Sequence, residues 1–169
     1  YFFSAVYMSE EGILKFTGFD RYSFRSNADA RLSNWLSVGQ SLGVTYTHGY
    51  GNRTDNAESS IISQAYRMQP IIPIYDEGGN WGGTRAPGTG NGANPLAILT
   101  RDQNDYGNDI RALGTFFAEA TILEGLSFKT LFGYDYRAGW WKNITIKNPE
   151  FAEAIENHGL GEGDNYTLQ

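Results

Sequence analysis

The sequence predicts an all-β protein: an antiparallel segment of a transmembrane β-barrel, with about five to six strands of a larger barrel and long extracellular loops that carry short helices. Three observations support this prediction. Runs of residues alternate between polar and apolar side chains, each run has about 11 residues, and the connections are short on one side and long on the other. Alternation with a period of two is typical of strands whose two faces meet different surroundings.

The first three predicted strands occupy residues 1–8, 21–32 and 36–47. A loop of about a dozen residues separates the first two, and a tight turn at Ser33 and Asn34 joins the second to the third. Strand 21–32 shows the alternation most clearly, because every second residue is polar or charged: Arg21, Ser23, Arg25, Asn27, Asp29 and Arg31. In strand 36–47 the apolar face has one polar exception, which is Gln40.

A long extracellular loop, residues 48–108, is expected between the third and fourth strands. It contains a predicted short helix from about Asn56 to Met68, since Asp55 or Asn56 provides a cap and Pro70 ends the helix. The rest of the loop is rich in glycine and has neither helical nor strand periodicity over a useful length.

Two further strands are predicted at residues 109–122 and 126–136, with a tight turn between them. A second short helix is expected after them, with Asn148 as its cap, and residues 164–169 look like the start of a sixth strand. The connections are long after strands one, three and five and very short after strands two and four. The whole chain, 1–169, is therefore expected to be part of one barrel domain whose loops extend from one side.

A soluble antiparallel sandwich would show the same alternation, because the pattern does not say which solvent each face meets. Strand length favours the barrel: about 11 residues tilted near 40° span about 28 Å, close to the hydrocarbon thickness. Small apolar-face residues such as Ala28 and Ala118 also fit lipid, which conforms to any surface. Aromatic residues gather toward strand ends, where an interfacial girdle lies: Tyr22, Phe24, Trp35, Tyr46, Tyr134, Tyr136, Trp140 and Trp141. A soluble carbohydrate-binding β-sandwich is the alternative, and a secreted glycosidase fragment is a weaker one.

Composition argues against several classes of protein. The formal net charge of −6, without a basic patch, argues against a general nucleic-acid binder. Cysteine is absent, so neither a disulfide framework nor a thiolate metal site is available. No run of about 18 apolar residues occurs, and the sequence therefore predicts no transmembrane helix.

Four segments resemble, in the same order, the barrel region of the SusC/RagA-type TonB-dependent outer-membrane transporters. They are RYSFRSNADARLSNWLSVG, PIIPIYDEGGNWGG, NPLAIL and AEATILEGLSFKTLFGYDY. None of these segments is diagnostic by itself. Together they cover nearly the whole chain in register, which makes the resemblance fairly specific.

The resemblance implies a nutrient importer in the outer membrane of a Gram-negative bacterium. Members of the family form a large barrel around an N-terminal plug, and TonB drives their uptake of glycans or oligopeptides. Large barrels of this type have about 22 strands, so the chain is expected to be a fragment that lacks the plug and the remaining strands. The implied partners are a SusD-like lipoprotein, the TonB complex through absent parts, outer-membrane lipid, and a glycan or peptide substrate. No catalysis, cofactor or nucleic acid is expected.

The polar faces of the strands supply the first group of candidate residues. An arginine on the inner wall of a barrel stays hydrated, whereas on the lipid side it would cost about 2–4 kcal/mol at the midplane. The residues predicted to face the lumen are Arg21, Arg25, Asn27, Asp29, Arg31, Arg111, Glu119 and Lys129. Two interpretations are open: a solvated or plug-facing wall whose charges pair with neighbours, or direct contact with the transported substrate.

The loop sequence YDEGGNWGG supplies the second group, which is expected to contact substrate or a partner. The group consists of Tyr75, Asp76, Asn80, Trp81 and the nearby Arg85. Aromatic rings beside a carboxylate and an amide suit sugars, because the ring stacks on the sugar while the polar groups bond its hydroxyls. The simpler interpretation is a packed turn that uses the glycine pair. Adjacent Asp76 and Glu77 do not suit a glycosidase acid–base pair, since neighbours in an extended chain point apart.

Metal-binding patterns in the sequence are weak. Within residues 102–109, the order of Asp102, Asn104 and Gly107 resembles a calcium loop, but Leu113 stands where that loop needs a glutamate. The two histidines lack a partner at ligand spacing. The sequence therefore predicts no metal site.

Overall fold

Six strands form a single antiparallel sheet in which each strand pairs with its neighbours in sequence. A computed structural model describes residues 1–51, 58, 60–151 and 159–168; within the last range it describes only the backbone, except at Gly163. The strands are β1 (Phe2–Glu11), β2 (Gly18–Arg31), β3 (Leu36–Tyr50), β4 (Tyr106–Leu123), β5 (Leu126–Thr145) and β6 (Gly159–Leu168). The predicted antiparallel all-β fold is confirmed, and the sheet is not closed among these residues.

The register gives the sheet two distinct faces. Arg25 pairs with Gly43, which pairs with Leu113, which pairs with Asp135, so these residues share one face. We call this the polar face. It consists of the even-numbered residues of β1 and the odd-numbered residues of β2 to β5, except at the bulge at 121–123. The opposite set forms the apolar face. All eight residues predicted to face the lumen lie on the polar face.

The strands are longer than predicted at the end where the long loops emerge. β4 has 18 residues and β5 has 20, against predicted spans of 109–122 and 126–136. The side-chain alternation of β5 stops at Gly139, yet its backbone stays paired with β4 as far as Lys142 and with β6 as far as Thr145. The predicted end of β5 was wrong because cross-strand hydrogen bonds, rather than the side-chain pattern, keep this part extended.

The connection between β1 and β2 is shorter than the predicted loop of about a dozen residues. It consists of residues 12–17, and the N–H of Gly12 donates to the carbonyl of Thr17 at 2.7 Å. Glu11 pairs with Gly18, so residues 9–11 and 18–20, which were predicted to belong to the loop, extend β1 and β2 instead. The opposite connections, 32–35 and 124–125, are short, as the sequence predicts.

Two helices lie between β3 and β4: α1 (Ile61–Arg67) and α2 (Pro95–Arg101). α1 begins later than predicted, after Ser60, whose hydroxyl accepts the N–H of Ser63. The proposed caps Asp55 and Asn56 lie outside the described residues. No helix in the described part of the chain is long and apolar enough to cross a membrane.

α2 was not predicted. Asn94 caps it by accepting the N–H groups of Leu96 and Ala97, and Pro95 occupies the first helical turn. The Asn-Pro pair was the available signal, but the glycine-rich residues before it obscured the signal. The other predicted helix, after Asn148, falls mostly on residues 152–158, outside the described part of the chain; residues 148–151 form a turn.

Most buried hydrophobic side chains of the described residues lie in the loops rather than in the sheet. Those in the loops are Ile61, Ala93, Ala97 and Leu99. Asn94, also buried, donates through its side-chain amide to the carbonyls of Ile74 and Gly82, both at 2.9 Å. We call residues 60–105 together with 146–151 the cap. The cap therefore has a small core of its own.

No second layer covers the apolar face among the described residues. Phe24, Phe116, Phe128 and Phe132 are 42%, 49%, 60% and 66% exposed. A sandwich would bury these rings between two sheets about 10 Å apart. The alternative of a soluble β-sandwich therefore has no support in this arrangement.

Candidate functional site

Oppositely charged residues pair across β4 and β5 on the polar face. The Arg111 Nε donates to Asp135 Oδ1 at 3.0 Å. The Arg137 Nε donates to Asp109 Oδ2, also at 3.0 Å. Lys129 Nζ lies 3.5 Å from Glu119 Oε2. These charges are therefore neutralised within the sheet, although exposed pairs of this kind contribute little to stability.

The arginines of β2 differ, because none of the three has an ion pair among the described residues. Arg25 stands in register between two uncharged residues, one of which is Gly43. Arg21 places its guanidinium carbon 5.2 Å from the centroid of the Phe19 ring. Arg31 lies near the short-turn end of the same strand. Within the part of the chain that the structure describes, these three arginines thus form no ion pair, although Asp29 shares their face of β2.

Two smaller predicted residues, Asn27 and Asp29, contact their neighbours on β3. The hydroxyl of Ser41 donates to Asn27 Oδ1 at 2.8 Å. Asp29 Oδ1 lies 2.3 Å from the position that a Cβ on Gly39 would occupy, and the Phe117 ring crowds the same position. Glycine at position 39 therefore allows the Asp29 carboxylate and the Phe117 ring to lie over the strand.

A groove of about 580 Å³ opens on the polar face between Arg25 and Arg111. Gly43 forms part of its floor, and a Cβ added there would meet nothing closer than the Leu113 carbonyl at 3.8 Å. The other lining side chains of this face are Asn27, Ser41, Thr45, Leu113 and Thr115. The groove forms because Gly43 has no side chain and pairs with Arg25, whose side chain is long.

An aromatic row crosses the apolar face near the cap. Ring centroids are 4.9 Å apart for Tyr7 and Tyr22, 6.2 Å for Tyr22 and Tyr46, and 6.3 Å for Tyr46 and Trp140. Three members of the predicted girdle therefore meet here, with Tyr7 added. The other predicted members lie elsewhere: Phe24, Tyr134 and Tyr136 within the sheet, Trp141 on the polar face and Trp35 at the opposite end.

Apolar residues make up most of the face between this row and the short turns, and the polar exceptions include Ser26, Gln40 and Thr130. From Leu36 to Tyr46 is about ten residues, or about 34 Å along β3 and about 26 Å at a tilt near 40°. Beyond the row the face becomes polar: His48 Nδ1 lies 2.8 Å from Asn108 Oδ1, and the Tyr7 hydroxyl donates to Asp20 Oδ1 at 2.8 Å. The apolar band therefore has a sharp upper boundary.

The loop residues Tyr75, Asp76, Asn80 and Trp81 lie in one small hairpin. The Tyr75 and Trp81 rings stack with centroids 4.8 Å apart. Asp76 Oδ1 accepts the backbone N–H of Asn80 at 2.7 Å, and this bond is the main reason that the pKa of Asp76 lies below its usual value. The carboxylate and the amide therefore bind each other, while Tyr75 keeps 51% of its surface exposed.

Arg85 lies apart from the hairpin and holds the β5–β6 connection. Its Nη1 donates to the Pro149 carbonyl at 2.8 Å, and its N–H donates to the Glu150 carbonyl at 3.2 Å. The Glu150 carboxylate also accepts two bonds from Arg101, one of them at 3.0 Å, with 14% and 8% of the two side chains exposed. Sequence reasoning missed this pair, because the residues are 49 positions apart and carry no local pattern.

Within the described ranges, no group of three or more His, Cys, Asp and Glu residues is arranged to hold a metal ion. In the calcium-like run, Asp105 instead bonds to β5. Its Oδ1 accepts the N–H of Ile144 at 2.8 Å, and its Oδ2 accepts the Asn143 amide at 3.0 Å. Asp105 thus joins the cap to the sheet.

Curated proteins match the chain over most of its length. TonB-dependent receptor P26 of Formosa agariphila is 30% identical over 177 aligned residues, which include 100% of this chain. TonB-dependent receptors P3 and P39 of the same bacterium are 26% and 24% identical and match 86% and 93% of the chain. The chain is homologous to a segment of the TonB-dependent receptors.

TonB-dependent receptors are outer-membrane proteins of Gram-negative bacteria, which agrees with the location that the sequence predicts. The predicted resemblance to this family is confirmed, whereas the names of these relatives do not specify the SusC/RagA type. The chain spans 16%, 15% and 14% of the lengths of receptors P26, P3 and P39. No protein-family model matches the chain.

Proposed function

We propose that the chain forms part of the barrel wall of a TonB-dependent outer-membrane importer of the SusC/RagA type. The observation that carries this proposal is the apolar face. Exposed aromatic and aliphatic side chains fill a band of about 26 Å, which matches the apolar band of about 25 Å on outer-membrane barrels. The homology to TonB-dependent receptors supports the same conclusion.

In this arrangement the cap lies outside the cell and the short turns at 32–35 and 124–125 face the periplasm. The polar face lines the lumen, where the charged residues of β2, β4 and β5 stay in contact with water. The aromatic row of Tyr7, Tyr22, Tyr46 and Trp140 lies at the outer interface, where amphipathic rings are favoured. Strands that pair with the free edges of β1 and β6 would complete the barrel.

We propose that the importer takes up glycans or oligopeptides together with a SusD-like surface lipoprotein, and that the TonB complex drives transport through other parts of the protein. The hairpin around Tyr75 and Trp81 and the side chain of Arg85 are candidate contacts. Contact with a partner protein has more support than sugar binding. Asp76 and Asn80 are hydrogen-bonded to each other and are therefore less available to the hydroxyls of a sugar. The exposed side chains of Ile71 and Ile74, 83% and 53% exposed, lie close by in sequence.

We propose transport without catalysis, since the relatives carry the names of receptors. The test uses the complete gene product in its own bacterium. Wild-type cells, cells without this gene and cells without TonB are incubated with labelled oligosaccharide and oligopeptide pools. We expect both deletions to abolish uptake of the same pool, and the protein to fractionate with the outer membrane. Recovery of the protein in the soluble fraction without detergent would contradict the proposal.

A further inference from the structure

We propose that the groove around Arg25 binds an anionic group, a carboxylate or a sulfate, of the molecule that the importer transports. The inference rests on the proposed function, because that function places the polar face in a water-filled lumen. It adds a substrate class to the importer: molecules that carry negative charge. Arg25, on the β2 side of the groove, is the binding residue.

The distribution of charge on the polar face is the first argument. On β4 and β5 the basic residues Arg111, Lys129 and Arg137 each have an acidic partner across the strands. On β2 three arginines share the face with a single acidic residue, Asp29, and none of the three has an ion pair among the described residues. The chain as a whole has a net charge of −6, so the positive stripe does not follow from a basic composition.

The donors around the groove are the second argument. Arg25 offers a planar guanidinium that suits an oxyanion, and charge-assisted hydrogen bonds of this type are stronger than neutral ones. Asn27 uses its side-chain oxygen to accept from Ser41, which leaves its amide nitrogen to donate. Thr115 adds a hydroxyl on the far side. Arg25, the Asn27 amide and the Thr115 hydroxyl therefore offer hydrogen-bond donors around an open space.

The shape of the groove is the third argument. Its volume of about 580 Å³ lies within the range of small-molecule sites. Gly43 leaves the floor open, while Leu113 supplies an apolar wall. At the level of Gly39 the Phe117 ring and the Asp29 carboxylate occupy the equivalent space, so the groove ends there. A ring-sized group with an anionic substituent fits this space.

The test measures uptake by cells that express the complete gene product. The probes are matched pairs that differ only in charge: oligogalacturonate and its methyl ester, a sulfated oligosaccharide and its desulfated form, and an acidic peptide and its amide. We expect wild-type cells to prefer the anionic member of at least one pair. Arg25→Gln should reduce uptake of that member by about tenfold, as expected for a lost charge-assisted bond, and Arg25→Lys should keep part of it.

Two further variants separate charge from shape. Arg31→Gln removes the same charge from the same face about 20 Å along the strand, outside the groove, and should keep the preference. Gly43→Val fills the floor without changing charge and should reduce uptake of the anionic member. β-Branched residues are favoured in strands, and a Cβ at this position meets no close atom. Heat-modifiable mobility of each variant on a gel reports whether the barrel has folded.

Three results would overturn the inference while leaving the importer intact. Wild-type cells take up neutral probes with no preference for any anionic member; the preference survives Arg25→Gln; or Arg25→Gln reduces uptake of both members equally and lowers the heat resistance of the barrel. The third result would mean that Arg25 pairs with a carboxylate of the protein itself. Uptake of no probe by wild-type cells, compared with the gene deletion, would count against the proposed function as well.

Discussion

Gln40 shows at the scale of one residue how the apolar face tolerates polar atoms. Its amide lies within the band that we assign to lipid, where an unbonded polar group costs several kcal/mol, about 4–8 by transfer to a hydrocarbon. The amide donates to the hydroxyl of Ser26 on β2 at 2.7 Å, and Ser26 is buried. Tyr134 performs a related role, because its ring covers the space above Gly114 on the neighbouring strand. Local exceptions in the pattern are thus matched across strands.

Asp76 is the residue at which we expect a dependence on pH. Its folded-state pKa is lowered, mainly by the backbone N–H of Asn80, so its contribution to hairpin stability is present above the unfolded pKa near 3.9. That contribution is lost as the pH falls through the lower, folded pKa. We therefore expect the protection factor of the Asn80 N–H in hydrogen exchange to fall in acid.

The control for this prediction is Asp76→Asn, which keeps the shape of the side chain and removes the titrating group. In that variant the protection factor of the Asn80 N–H should be lower at neutral pH and should not change further in acid. A hairpin whose protection falls equally in the wild type and the variant would show that another group is responsible.

Within each strand, we assign one face to lipid and the other to the lumen. Ala118 lies on the apolar face of β4 and tests this assignment. Ala118→Arg places a charge on the apolar face between the middle of the band and its short-turn edge, since Ala118 pairs with Val38. The cost there is below the value of about 2–4 kcal/mol expected at the bilayer midplane. We expect this variant to reduce the folded, heat-modifiable fraction of the complete protein far more than Arg25→Ala, which shortens a side chain on the polar face. Equal tolerance of the two variants would show that the face assignment is reversed or irrelevant.

The helices illustrate a limit of element prediction. α1 carried a recognisable periodic pattern and was predicted, but its start was set by Ser60, which competes with several capping residues upstream. α2 is only seven residues long, too short for its apolar pattern to stand out from glycine-rich neighbours. Its position is fixed by Asn94, which caps the helix and also bonds Ile74 and Gly82.

At the scale of the whole molecule, the partly buried ion pair of Arg101 and Glu150 joins two loops into one cap. Removing one partner of a buried pair typically costs about 3–5 kcal/mol, because the other charge stays buried without compensation. Because the Arg101–Glu150 pair is only partly buried, we expect Glu150→Gln to lower the opening free energy of the cap by less than this, but by more than an exposed pair contributes. Hydrogen exchange of the Gly82 and Arg85 amides in the complete protein measures it.

The matched control is Glu58→Gln, which removes the partner of Arg67 from an ion pair in which the glutamate side chain is 80% exposed. Exposed pairs contribute about 0–1 kcal/mol, so the same amides should change little. Similar losses in the two variants would mean that burial does not distinguish the pairs and that the cap is held by its apolar core.

Burial differs between the cap and the sheet of the whole molecule. The cap buries its own small core, whereas the sheet leaves large side chains exposed on its apolar face and does not close on itself within the described residues. In the importer that we propose, lipid on one face and further strands at its edges would stabilise this sheet. The cap therefore has a core of its own, whereas the sheet of the proposed barrel would depend on its surroundings.

The sequence alone determined the antiparallel strands, the division of their residues between two faces and the similarity to TonB-dependent receptors. Alternation and similarity depend only on the order of residues along the chain. Tertiary structure alone decided how far β5 extends, which residues join the aromatic row, that Glu150 meets Arg101, and that Arg25 stands between Ser4 and Gly43. The physical reason is distance along the chain. A period of two needs only neighbouring residues, whereas a partner 49 positions away depends on where the backbone returns.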